Sequence, residues 1–300
     1  AYLPLDPDYP SARLAFMLND SQASLLITAG DIIAEAVQEV VQTRYADSKK
    51  IKVLRLSDPQ VNDALSQLDD GTVTQAERIT PLVSHNLAYL IYTSGSTGQP
   101  KGAGNIQSAL VNRLDWMQSA LQLTSNDRVL QKTPWSFDVS VWEFLLPVLH
   151  GATLILAKPD GHKDPLYLDR LIREQGITTL HFVPSMLDAF LISDIDHALL
   201  NIKHLVTSGE ALSGSVQKEC FTKLPNTGLW NFYGPTEAAI DVTYWQCTET
   251  DRIDPPPIGR PIWNTQIYIL DAALNPLPIG VAGELYIAGA GLARGYFNRA

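Results

Sequence analysis

Residues 87–102 read Leu-Ala-Tyr-Leu-Ile-Tyr-Thr-Ser-Gly-Ser-Thr-Gly-Gln-Pro-Lys-Gly. Two kinds of chemistry meet in this stretch. Leu87–Thr93 is a short apolar run without charge, which predicts a strand buried on both faces. From Thr93 onward the composition turns to Gly, hydroxyl side chains and a single Lys. Glycine permits positive φ and close backbone approach, so successive N–H groups can converge on an anion. Hydroxyls add donors, and Lys101 adds a mobile positive charge. Thr93, Ser94, Gly95, Ser96, Thr97, Gly98 and Lys101 are therefore candidates for holding a polyphosphate. The loop is not a Walker A motif, which needs Lys-Ser/Thr at its end. Five positions after Gly95 stands Pro100, and Gly102 follows Lys101. The plain alternative is a flexible Gly/Ser connector.

Working outward, short apolar runs alternate with amphipathic ones. Strands are predicted at 24–28, 128–132, 152–157, 177–183, 203–208 and 228–232. Helices are predicted at 31–44, capped by Asp31, and at 106–121, 138–149 and 165–175. Residues 57–80 are polar and read as an irregular surface connector. This rhythm predicts an α/β fold with a largely parallel sheet flanked by helices. After Pro255–Pro257 the texture becomes β-rich, with runs at 265–270 and 283–288. A core over about 1–255 and the start of a smaller β subdomain over about 256–300 are expected.

The chain of 300 residues carries 22 Lys+Arg against 32 Asp+Glu, a net charge of −10, with 45% hydrophobic residues. That composition excludes intrinsic disorder. It also argues against an extended nucleic-acid or anionic-membrane footprint, which needs clustered cations. No run approaches the roughly 18–20 apolar residues of a membrane span. The two cysteines, Cys220 and Cys247, make no disulfide framework and have no metal-ligand spacing. A reducing, cytoplasmic setting is expected.

Thr93–Gly102 resembles the phosphate loop of adenylate-forming enzymes: acyl-CoA synthetases, luciferases and the adenylation domains of nonribosomal peptide synthetases. Four further segments resemble motifs of that family in the family's order: AYLPLDPDYP at 1–10, FDVSVWEF at 137–144, NFYGPTE at 231–237 and GELYIAGAGLARGY at 283–296. The resemblance covers essentially the whole chain.

It implies a reaction in which a carboxylate joins the α-phosphate of ATP and pyrophosphate leaves. Two anions must meet, so positioning and charge stabilisation should dominate. The loop with Lys101 would hold the β- and γ-phosphates. Glu237 would bind Mg²⁺, a hard cation suited to carboxylate and phosphate oxygens. Thr236 would donate to the α-phosphate or the acyl carboxylate. Tyr233 would stack on adenine, Asn231 would bond its exocyclic amine, and the backbone at Gly209 and Gly234 would pack around the nucleotide.

Asp138 separates the branches of the family. On spacing alone it reads as a helix N-cap. By resemblance it matches the Asp that pairs with a substrate α-ammonium, a group that fatty-acyl and aryl substrates lack. The family's side-chain pocket maps here to Asp138, Val139, Trp142, His181, Val206, Ser208, Phe232, Ile240 and Asp241. Three polar members in apolar surroundings suit a short hydroxyl-bearing side chain, with His181 and Asp241 expected to orient each other. The set resembles the pattern associated with L-serine; threonine or a diamino acid stays open. Arg294 and Tyr296, in the late motif, read as structural support of the β subdomain, and the remaining histidines share no ligand spacing.

The expected function is activation of an L-amino acid, serine favoured, for loading onto the phosphopantetheine thiol of a carrier domain. Carrier and condensation domains of the same synthetase are the implied partners. Alternatives are an acyl- or aryl-CoA ligase, a P-loop kinase or NTPase, and a nucleotide-binding fragment without turnover. The ends of the sequence read as cut. The family's YxTGD segment, hinge and Lys-bearing C-terminal subdomain have no counterpart here, so the isolated chain is expected to activate serine weakly or not at all.

Overall fold

The computed structural model describes residues 1–29, 51–94, 99–251 and 253–299. The predicted helix at 31–44 with its Asp31 cap, and loop residues Gly95, Ser96, Thr97 and Gly98, lie outside the described residues. The chain divides into two compact units, Ala1–Gln107 with Arg294–Ala300, and Ser108–Ala293.

In the first unit, helix α1 (Ser11–Ser21) buries Leu14, Met17 and Leu18 at helical spacing. Strands β1 (Leu25–Thr28) and β2 (Lys52–Arg55) pair in parallel. The connector at 57–80 is more ordered than its polarity predicted. It contains α2 (Pro59–Ser66), with the Asp58 side chain accepting from the Gln60 N–H and Pro at the first turn. None of α2's residues is buried, so no apolar face announced it. Strand β3 (Leu87–Thr93) is buried at its five inner positions, as predicted. It pairs antiparallel with β4 (Lys101–Ile106), so the glycine-rich segment lies between two paired strands in the chain. A P-loop instead leads from a strand into a helix. A Cβ on Gly102 would stand 3.0 Å from the Tyr92 ring, which explains a glycine beside so large a neighbour.

The second unit starts with α3 (Ser108 is its first residue here; the helix itself runs Gln107–Leu121). Its strands are β5 (Arg128–Gln131), β6 (Thr153–Leu156), β7 (Thr179–Phe182), β8 (His204–Thr207), β9 (Gly228–Tyr233), β10 (Thr243–Gln246) and β11 (Arg260–Pro261). Among the described residues they form one sheet in the order β11-β10-β9-β8-β7-β5-β6. The run from β6 to β9 is parallel, and β10 and β11 are antiparallel. Helices α4 (Val139–Leu149), α5 (Pro165–Gln175), α6 (Pro184–Ile192) and α7 (Gly214–Lys223) follow β5, β6, β7 and β8. The core gathers Leu180, Phe182, Phe190, Leu205 and Leu229, so the central strands are apolar on both faces. Beyond Pro257 a hairpin of β12 (Thr265–Leu270) and β13 (Glu284–Gly289) replaces the strand–helix alternation. Cys220 and Cys247 are buried and free. No helix among the described residues is long and apolar enough to cross a membrane.

Candidate active site

In the first unit the late GLARGY segment braces the loop hairpin. The Arg294 N–H donates to the Gly104 carbonyl, and the Gly104 N–H to the Gly295 carbonyl. The Phe297 N–H donates to the Gly102 carbonyl. The segment thus runs along β4 like a further strand. Lys101 is half-buried at the start of β4, with its Nζ 5.3 Å from the centre of the Tyr296 ring. The ring face holds the ammonium where the loop ends. Arg294 and Tyr296 thus brace the β3–β4 pair of the first unit and not the β subdomain that the sequence reading assigned them to.

In the second unit the predicted pocket residues gather at the carboxyl ends of β5, β7, β8 and β9. That is where open parallel sheets bind ligands. The pairing register explains the offsets. His181 lies opposite Val206, and Val206 opposite Trp230. Side chains two apart on a strand share a face, which brings Ser208 and Phe232 to the same side as His181 and Val206. The His181 Nε2 and Ser208 Oγ are 2.9 Å apart. The Trp142 indole meets the His181 ring edge-on at 6.4 Å. Burial, then the nearby Lys132 and Arg113 charges, hold the His181 pKa well below its usual value, so this imidazole is neutral.

Asp138 occupies the N-cap position of α4, yet its side chain makes no capping bond there. It is 9% exposed, and its Oδ2 is buried without a hydrogen-bond partner. Burial and the Asp241 charge push its pKa up to about 7, against hydrogen bonds from the Thr236 side chain and the Val139 N–H. A buried carboxylate with a free oxygen is a site for a cation. Trp142, one helical turn on from Asp138, also carries a buried Nε1 without a partner.

Asp241 does not meet His181 as the sequence reading expected. Its Oδ2 accepts from Arg113 Nη2 at 2.6 Å, with the two side chains 2% and 1% exposed. Burial opposes the Asp241 charge and the guanidinium supports it. At this distance the ion pair governs, because a guanidinium does not give up its proton. Arg113 was missed in the sequence. Its signal is an arginine on the apolar face of α3, between Ala109, Leu110, Leu114 and Met117, all buried.

The turn before Asp241 is held by unusual backbone. Ala239 and Ile240 have φ of 54° and 79°. For a β-branched residue this is a strained conformation, costing on the order of 1–3 kcal/mol, of the kind found at binding sites. A Cβ on Gly234 would lie 2.5 Å from the Asp241 Cα, so only glycine lets NFYGPTE pass so closely. Gly209, at φ +86°, likewise needs its missing side chain.

Asn231 is buried, and its Nδ2 donates to the Pro257 carbonyl, which leaves Oδ1 to accept. Tyr233 presents an exposed ring. Glu237 is partly buried in the turn Thr236–Ala238. One carboxylate completed by phosphate oxygens is an ordinary donor set for Mg²⁺, so Glu237 fits that ion. Glu143 of the FDVSVWEF segment has a structural task the sequence did not disclose. Its carboxylate accepts from the Lys132 and Thr133 N–H groups and the Thr133 hydroxyl, tying α4 to the end of β5.

The family model for AMP-binding enzymes matches residues 1–297. The chain is 45% identical, over its whole length, to vanchrobactin synthetase VabF of Vibrio anguillarum, spanning 10% of that protein. It is 43% identical to enterobactin synthase component F of Escherichia coli K12, again along all of this chain and 22% of the relative. The chain thus spans well under half the length of these relatives. Among solved structures, a four-domain nonribosomal peptide synthetase bound to AMP and glycine aligns with TM-score 0.78 and 29% identity, over 100% of this chain and 20% of that one. The AMPPNP-bound form of the synthetase FmoA3 aligns with TM-score 0.83 and 26% identity, over 99% of this chain and 30% of the other. The fold, the ordered motifs and these likenesses converge: the chain belongs to the AMP-binding enzyme family, as an adenylate-forming ligase domain of the kind found in nonribosomal peptide synthetases.

Proposed function

We propose that the chain activates L-serine as seryl-AMP and passes the seryl group to the phosphopantetheine thiol of a carrier domain. The observation that carries the amino-acid reading is the partnerless, buried Oδ2 of Asp138. An α-ammonium there would find a counter-ion, and the carboxylate its missing partner. Fatty-acyl and aryl substrates bring no such group, which weighs against the CoA-ligase reading. The solved relative bound to AMP and glycine is in keeping with an amino-acid substrate.

At the other end of the pocket, neutral His181 and Ser208 offer a donor and an acceptor to a short side chain bearing a hydroxyl. Alanine would forfeit the further hydrogen bond that this buried pair can make to a substrate hydroxyl, worth roughly 0.5–1.5 kcal/mol. In the reaction, a substrate carboxylate oxygen bonds to the α-phosphorus as the bond to the bridging oxygen breaks, and pyrophosphate leaves with that electron pair. Thr236, whose side chain lies beside Asp138, would donate to the carboxylate or phosphate. Asn231 and Tyr233 would receive the adenine, and Lys101 with its loop the β- and γ-phosphates. A magnesium ion on Glu237 would supply charge neutralisation at the phosphates. Carrier and condensation domains of one cytoplasmic synthetase would be the partners.

The test is ATP–pyrophosphate exchange on the full-length protein with each of the twenty amino acids. Serine should give the highest kcat/KM, with alanine at least about tenfold lower. A preference for a large apolar amino acid would refute the serine reading.

A further inference from the structure

The Arg113–Asp241 ion pair belongs to none of the quoted motifs, yet it fixes the charge of the pocket. The Arg113 guanidinium is held by one carboxylate and two aromatic faces. Its Cζ lies 5.0 Å from the Trp116 ring centre and 5.4 Å from that of Phe232. Its Nε and Nη1 are buried without hydrogen-bond partners, so Asp241 is its sole ionic anchor among the described residues. The charges can be counted. With Asp138 ionised, as holding an ammonium requires, Asp138 and Asp241 carry one negative charge each, Arg113 carries one positive charge, and His181 is neutral. The nearby Lys132 and Glu143 are of opposite charge and each favours the other's charged form. What remains is a single negative charge, on Asp138, which one α-ammonium neutralises. A second ammonium, on a substrate side chain, would be buried without a counter-ion, which desolvation strongly disfavours.

We infer that Arg113 is a positioning residue that sets the substrate class: by holding the Asp241 carboxylate in an ion pair, it makes the pocket take a neutral side chain and reject a cationic one. This rests on the reading of the pocket as an amino-acid site, and it excludes the diamino acids that the sequence left open. Asp241 thereby acts as a fixed wall rather than as an anion open to substrate.

The test compares L-serine with L-2,4-diaminobutyrate in ATP–pyrophosphate exchange by the full-length protein. The native protein should prefer serine strongly. In Arg113→Gln, where a hydrogen bond to Asp241 is kept but the charge is lost, the serine-to-diaminobutyrate ratio of kcat/KM should fall at least about tenfold. In Arg113→Lys the ratio should stay near native. A packing role alone would lower both substrates together and leave the ratio unmoved. A ratio within twofold of native in Arg113→Gln overturns the inference. The native protein tests it without any variant: activation of diaminobutyrate as readily as serine overturns it even if neither variant folds. Preference for another neutral amino acid would defeat the serine reading while supporting this inference, with that amino acid as reference. Preference for a cationic amino acid would overturn the inference and leave amino-acid adenylation standing.

Discussion

The β3–β4 hairpin of the first unit and the strand ends of the second carry their chemistry in opposite ways. The hairpin is proposed to work through glycine backbone, hydroxyls and one lysine, of which the structure describes the half-buried Lys101 resting on Tyr296. Its candidate donors are neighbours in sequence. The pocket relies on side chains from β7, β8, β9, α3 and α4 that are nearly all buried and arranged in pairs. A loop that binds phosphate can be wet and adaptable. A pocket that tells one small amino acid from another must be dry, since a missing hydroxyl is penalised only where water cannot replace it. Damage to the pocket should therefore change which substrate is used, and damage to the hairpin should change nucleotide affinity alone.

The largest effect expected is at Asp138. Asp138→Asn leaves the substrate ammonium unpaired, a loss of about 3 kcal/mol or more, so kcat/KM for the amino acid should drop a hundredfold or more. ATP affinity, measured by calorimetry, should stay within about twofold. Equal losses in both would dissolve the contrast between the regions. Next comes His181→Ala, which should lower serine activation by about ten- to a hundredfold and alanine activation much less. A structural His181 would lower both alike.

The pH dependence should separate the regions as well. Asp138, with a pKa near 7, must be ionised to hold an ammonium. Its ionised fraction rises about tenfold between pH 6 and pH 8, so the KM for the amino acid should fall by about that factor. The KM for ATP should not follow it. The sign for stability is the reverse. The folded pKa lies above the ordinary value of 3.8, so the stabilising contribution is present below about pH 4 and lost as pH rises through 7. Asp138→Asn should therefore unfold at a higher temperature than the native protein at pH 8, with the gap closing toward pH 4. The smallest effect is at the hairpin. Tyr296→Leu removes the ring under Lys101, worth about 0.5–1 kcal/mol, and should raise the KM for ATP about two- to fivefold with amino-acid selectivity intact.

The same contrast governs what could be read from the chain. β3, α5 and β12 fall at their predicted bounds because an apolar period or a Pro start marks each. The phosphate loop can be proposed from sequence because its candidate donors are neighbours, although Gly95–Gly98 lie outside the described residues. The pocket is legible only through the spacing of motifs. Even then its pairing was misjudged: His181 bonds Ser208, while Asp241 bonds an arginine 128 residues away on α3. Neither propensity nor spacing encodes such a partner, which tertiary packing selects. Short helices such as α6 and α7 escaped notice because they span only 9 and 10 residues and begin at a Pro or Ser cap inside apolar or polar runs. Glu143 looked like part of a motif and proves to be a tie between α4 and β5.

The central claim is that Asp138 makes this an amino-acid site. ATP–pyrophosphate exchange on the full-length protein, with L-serine set against its deaminated analogue 3-hydroxypropionate, tests it directly. Exchange that depends on serine and is at least about a hundredfold weaker with the analogue is the predicted result. Comparable exchange with 3-hydroxypropionate would contradict it, because an acid without an ammonium would then need no partner at Asp138.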